Sequence, residues 1–286
     1  MKKFLSIALA LLMVCVMLPV VALAAEKTAS TYEELKSAIS TANDGDTIKL
    51  LADIDLSQTI TVNKTITLNM NGKKLYNTSD LWDKPTAEDD NWSLISVRGS
   101  GNLTITGNGT FAAKENDCYA VDVQESATVT IKNGTFIGNI HAVYVFAGTA
   151  NVEGGTYSVQ QKYPDSAKGD EFVLNCYDAN RANGTARINV TGGTFKNFNP
   201  ADNKAEGEGN NFADNSLVVQ KNNTVQNNDY YVGNAANEVI AAASKGEEIF
   251  VLNGTTLTNV PAGVIIQNGT DGEITVNGEK IGPNEG

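Results

Sequence analysis

A string of alternating apolar residues that ends on an Asn or Gly corner and an aromatic ring recurs four times in this chain. It reads Ile95, Val97, Leu103, Ile105, Asn108-Gly109-Thr110-Phe111, and again Val121, Val123, Val129, Ile131, Asn133-Gly134-Thr135-Phe136. The third copy is Val143, Val145, Ala150, Val152, Gly154-Gly155-Thr156-Tyr157, and the fourth is Leu174, Cys176, Ile188, Val190, Gly192-Gly193-Thr194-Phe195. A period of two marks strands with one buried face. A unit this small cannot bury that face alone, so the copies must stack and share a core. The expected fold is all-β, a parallel solenoid with strands of successive rungs roughly 4.8 Å apart.

Each part of the string has a physical role. Asn and Gly enter left-handed backbone at little cost, so the pair before Thr-Phe or Thr-Tyr is where each rung bends. Phe111, Phe136, Tyr157 and Phe195 then point inward and stack from rung to rung.

The rest of the chain sets limits on compartment and partners. Lys2 and Lys3, an apolar run over residues 4–21 and the small-x-small site Ala22-Leu23-Ala24 read as a secretory signal peptide over 1–24, cleaved near Ala24-Ala25. The product is expected to be secreted or held at the cell surface, with no membrane insertion after cleavage. A net charge of −12 repels phosphate backbones and anionic lipid, so nucleic acid is not an expected partner. Cys118 and Cys176 fall two rungs apart, beyond disulfide reach, and are expected to be free.

Along the chain, Thr31 and Glu34 form a capping box ahead of an apolar helix face of Leu35, Ala38, Ile39 and Ala42. This helix, over about 31–43, is expected to cap the open end of a solenoid that runs over 25–232. Residues 233–286 repeat that opening. Ala236, Val239, Ile240 and Ala243 reproduce the helix face, Lys245-Gly246-Glu247 stands for Asp44-Gly45-Asp46, and Asn277-Gly278 returns Asn71-Gly72. They are expected to form a C-terminal cap of helix plus strands, an unextended second solenoid unit. Three insertions, at 77–91, 158–170 and 198–215, leave the rungs and are candidate binding loops, with Trp82, Trp92 and Tyr163 as loop aromatics.

The helix with Asp44-Gly45-Asp46-Thr47-Ile48, the Gly-Gly-Thr-Phe corners and the run from Gly192 through Phe195 and Phe198 to Asp202 resemble right-handed parallel β-helix, adhesin-like surface and secreted proteins of gut bacteria and their phages, within the pectin-lyase-like superfamily. Val260-Pro261-Ala262-Gly263, followed by Ile274-Thr275-Val276-Asn277-Gly278, is similar to a terminal module of that group. The resemblance implies an architecture and leaves activity open, because the superfamily holds lyases, hydrolases and non-catalytic adhesins.

Alternation names one outward face. If Val121, Val123, Val143, Val145, Leu174 and Cys176 point in, then Asp122, Gln124, Tyr144, Phe146, Asn175 and Tyr177 point out, with Arg98 one rung earlier. Aromatic rings beside amides and a carboxylate suit sugars, whose apolar faces stack and whose hydroxyls need polar partners. A polysaccharide or surface glycan is the expected partner.

A catalytic set is not visible. A glycosidase pair needs two facing carboxyls, and only Asp122 lies on this face. By the resemblance, a lyase would hold calcium on carboxylates beside an Arg or Lys base, and Arg98 near Asp122 is all the face offers. Catalytic residues are therefore unassigned, no cofactor or metal is expected, and calcium belongs only to the lyase alternative. His141 reads as a turn residue, and Asp53 with Asp55 as a solvated pair that could hold calcium.

Overall fold

The computed structural model describes residues 24–82, 92–161, 171–202, 211–221 and 228–286. The signal-peptide residues up to 23, Tyr163, most of the first two insertions and residues 203–210 of the third lie outside them.

The described chain is predominantly β and forms four sheets: three that it visits in turn, and a small one of Thr256–Leu257, Ile274–Val276 and Glu279–Ile281. Sheet I holds Glu26–Ala29, Thr47–Leu50, Thr65–Asn69, Asn102–Thr106, Thr128–Ile131, Gly148–Val152 and Ala186–Val190. Sheet II opens with Ile54–Asp55, Lys74–Tyr76, Thr110–Ala112, Thr135–Gly138, Thr156–Val159 and Gly193–Lys196. Sheet III holds Ile60–Val62, Ser93–Val97, Tyr119–Val123, Val143–Val145 and Leu174–Cys176. Every pairing within these three sets is parallel. From Thr47 to Lys196 the chain takes sheets I, II and III in rotation, which is compatible with a solenoid.

The shared core follows from the alternation. Phe111, Phe136, Tyr157 and Phe195 are fully buried, with successive ring centroids 4.8, 5.1 and 5.0 Å apart and planes within 12°. Parallel pairing sets this spacing, so each ring adds a stacking term of about 0.5–1.5 kcal/mol to its own burial. The corner before each ring is left-handed as expected, at Gly134, Gly155 and Gly193 with φ of 116°, 101° and 116°. In the first copy the left-handed residue is Asn108 instead, at φ 50°.

Helix α1 (Tyr32–Ser40) closes the N-terminal end. The Thr31 hydroxyl accepts the Glu34 N–H at 3.2 Å, and Leu35, Ala38 and Ile39 are buried against the first rung. Ahead of it, Glu26–Ala29 is a strand rather than the polar linker its composition suggests. It pairs with Thr47–Leu50, and Leu51 N–H continues that register to Ala29 C=O.

Past Lys196, with the short helix α2 (Asp178–Ala182) already behind, sheet II continues by antiparallel pairing through Asp229–Val232 and Val218–Lys221 to Glu248–Asn253. Helix α3 (Asn234–Ala241) precedes that last strand, which pairs in parallel with Ile265–Asn268. The C-terminal residues thus join the stack through one continuous sheet. Val218 belongs to the main core and Val219 to a second one with Ala236, Ile240 and Ile249, so a single strand serves both. The internal repeat is structural too: Asp46 accepts the Asn43 N–H and Glu247 accepts the Ser244 N–H, each from three residues earlier.

Candidate functional site

The outer side of sheet III collects most of the chemistry. Parallel register places Ser96, Asp122, Tyr144 and Asn175 in one column across four rungs, as the alternation implies. The next column out contains Arg98, Gln124, Phe146 and Tyr177, each directly following a paired strand residue. In it, Phe146 and Tyr177 stack at 4.9 Å with 25° between planes, and are 37% and 44% exposed. Asn180 on α2 donates its Nδ2 to Phe146 C=O, and this ties the helix to the rung that carries the pair.

The polar members are not open to solvent as expected. Asp122 is 1% exposed and Gln124 is buried. The Asp122 carboxylate accepts from Ser96 Oγ at 2.9 Å and from Gln124 Nε2 at 2.8 Å, while Arg98 Nε donates to Ser96 Oγ at 2.9 Å. The buried carboxylate is therefore held by oriented donors in a network that fixes the face.

A second set of rings lies beside this network. Tyr119 and His141 are 4.8 Å apart, and both lie against Tyr144, at 5.2 and 5.4 Å. Trp82 meets Tyr119 edge-on at 5.3 Å and stacks with Trp92 at 6.0 Å. The result is a continuous aromatic strip from Trp92 through Trp82, Tyr119 and His141 to Tyr144. Trp82, at 37% exposure, is its most open ring.

Asp117 sets the position of Trp82. Its buried carboxylate accepts the backbone N–H groups of Leu81 and Trp82, each at 2.9 Å, and the Asn77 side-chain amide at 2.6 Å. Asn77 Oδ1 in turn accepts the Lys114 N–H, and Lys114 pairs with Asp80. The start of the first insertion is thereby clamped to the rung that carries Tyr119.

His141 is buried and neutral. Its Nδ1 lies 2.7 Å from Phe172 C=O, so it carries the proton, and Nε2 accepts from Asn175 Nδ2 at 3.2 Å. Burial pulls its pKa down to about 4, against a smaller upward pull from the Phe172 carbonyl. Asn175 Oδ1 is left buried with no hydrogen-bond donor among the described residues. Cys118 and Cys176 are both buried and not joined in a disulfide, and burial pushes the Cys118 thiol well above its ordinary value. Asp53 and Asp55 spend their oxygens locally, accepting from Lys74 N–H and from the Thr78 N–H and hydroxyl. Among the described residues no three His, Cys, Asp or Glu side chains gather as a metal site.

Sequence reasoning missed Ser96, Asp117, Tyr119 and His141. Ser96 shares the parity of Asp122 and was legible between Ile95 and Val97. Tyr119 and His141 share the parity of Val121 and Val143, so strict alternation places them inward. The ladder is irregular just after them: Ala142 and Val143 both direct their N–H to Val173 C=O, and Leu94, Ala120, Ala142 and Val173 fill the core. That slip frees the two rings for the outer strip.

No protein-family model matches the chain, and neither the curated proteins nor the solved structures contain a match to it.

Proposed function

We propose that this chain is a right-handed parallel β-helix of the pectin-lyase-like kind that acts as a non-catalytic, adhesin-like glycan-binding protein, secreted or held at the cell surface. The observation that carries the reading is the aromatic strip over sheet III, with Trp92 and the exposed Trp82 at one end and the exposed Phe146–Tyr177 pair near the other. Aromatic faces on a rigid sheet offer pyranose rings flat apolar area. Asp122 is a poor proton donor or base for such a ligand, because Ser96 and Gln124 already occupy its oxygens. The reading needs no cofactor.

A glycan array and polysaccharide pulldowns on the mature protein, beside a Trp82→Ala variant and a Phe146→Ala/Tyr177→Ala variant, test it. Binding that falls in folded variants supports a site on the strip, and no binding to any glycan overturns it. Product analysis with and without calcium separates the alternatives: new unsaturated ends mean a lyase, new reducing ends without unsaturation a hydrolase. Concentration-dependent assembly without sugar binding means a structural module.

A further inference from the structure

We propose that the free edge of sheet I at Ala186–Val190 is a docking site for an extended acidic peptide, which joins the sheet as one more parallel strand. Of the three sheets, only sheet II is continued past the last rung, by Asp229–Val232. Sheet I ends at Ala186–Val190, with no strand hydrogen-bonded outside it among the described residues. An edge of this kind presents unpaired N–H and C=O groups that template a further strand.

The direction of those groups follows from parallel geometry. Thr191 N–H points inward to Val152 C=O, and Val190 N–H points the other way, to Phe212 C=O. Ile188, two residues earlier, must aim its N–H to the same outer side as Val190. Ser216 Oγ closes the Val190 carbonyl, so that end of the strand is already satisfied. The Ile188 groups instead face a cleft of about 470 Å³, lined by Arg181, Arg187, Asn189, Phe212 and Asp214 among others.

The columns of sheet I then specify the occupant. Thr149 pairs with Arg187, Ala150 with Ile188 and Asn151 with Asn189, and Asn189 Nδ2 donates to Asn151 Oδ1 at 2.9 Å. An added strand must place an apolar residue beside Ile188 and an Asn or Thr beside Asn189. Beside Arg187 it needs an acid. Arg187 is exposed and forms no ion pair among the described residues, whereas Arg181 already pairs with Asp178 at 3.4 Å. Asp214 on the facing wall disfavours a second acid, so the favoured order is acidic, then Val or Ile, then Asn or Thr.

The test uses the blocked peptide Thr-Glu-Val-Asn-Thr, its Thr-Lys-Val-Asn-Thr counterpart and a Thr-Glu-Val-Pro-Thr control, titrated into the whole protein and into Arg187→Glu. The peptide-free protein should exchange its Ile188 amide faster than its Asn189 amide, and the Glu peptide should slow Ile188 exchange selectively. Arg187→Glu should weaken the Glu peptide about fivefold and favour the Lys peptide, as expected for one exposed charge pair. The Pro peptide, whose fourth residue has no N–H for the Ile188 carbonyl, should not protect Ile188. Equal binding of the Pro and Asn peptides, protection away from Ile188, or no binding at all would overturn the proposal. So would self-association lost in Arg187→Glu without peptide binding, which would assign the edge to a second copy.

Discussion

The carboxylate of Asp117 receives the backbone N–H of Trp82 at 2.9 Å from a position 35 residues away in the chain. One rung thereby fixes where the first insertion starts and where its indole lies, edge-on to Tyr119. The carboxylate also takes Leu81 N–H and Asn77 Nδ2, so its loss leaves several donors unsatisfied at once. Asp117→Ala should cost about 3 kcal/mol in urea unfolding. Asp117→Asn, which keeps the shape but lacks the charge, should cost less. Both should change the tryptophan emission, since Trp82 and Trp92 are the chain's only two tryptophans. An unchanged spectrum in a folded Asp117→Ala variant would show that something else holds Trp82.

Those two tryptophans also give a direct binding readout. A sugar that stacks on the strip should shift or quench their emission, and Trp82→Ala should remove most of the response. Trp82→Ala should leave stability within about 0.5–1 kcal/mol of the parent, because the ring is partly exposed and gives up little buried area. A full response from a folded Trp82→Ala protein would move the site elsewhere.

The internal and external rings should behave oppositely on truncation. Phe136 is fully buried between Phe111 and Tyr157, so Phe136→Ala opens a cavity in the ladder and should cost about 3–5 kcal/mol. Phe146→Ala removes a ring that touches Tyr177 on the surface and should cost about 1 kcal/mol or less. Thermal unfolding of the two variants side by side checks the contrast, and equal losses would contradict the assignment of inside and outside.

The rungs were legible because their period is strict and because turn chemistry punctuates them. Val121 and Val123, with the Gly134 corner and Phe136, fix strand, bend and core together, and the register of Asp122 with Tyr144 and Asn175 follows. The site was less legible for two physical reasons. The irregularity at Ala142 and Val143 changes which side chains face out, and alternation cannot register a slip it has no residue type to mark. Burial on the outer face depends on what lies over it, so Asp122 and Gln124 carry outward parity and yet are covered. The Glu26–Ala29 strand was hidden for a similar reason: an edge strand with one buried alanine has the composition of a linker.

Acid should unfold the protein in two separable windows. His141 is the only histidine, and its folded pKa of about 4 lies below the ordinary value near 6.5. The unfolded chain therefore takes up this proton first, and stability falls as pH drops from about 6.5 through 4, by on the order of 3 kcal/mol in total. Tyr119, Tyr144, Phe172 and Asn175 surround the ring, and none of these offers a carboxylate to compensate the new charge. The cap carboxylates act lower down. Asp46 is held below its ordinary value by the Ala25 and Asn43 N–H groups, and Glu247 by the Ser244 N–H and then Lys221. Their contribution is present above about pH 4 and is lost as pH falls through their lowered values. His141→Gln, which keeps one donor for Phe172 and one acceptor for Asn175, should flatten the stability profile between pH 6.5 and 4 and leave the lower window alone. Glu247→Gln should do the reverse. Chemical-denaturation midpoints taken across pH 3–7 decide it, and an unaltered upper window in His141→Gln would mean that some other group titrates there.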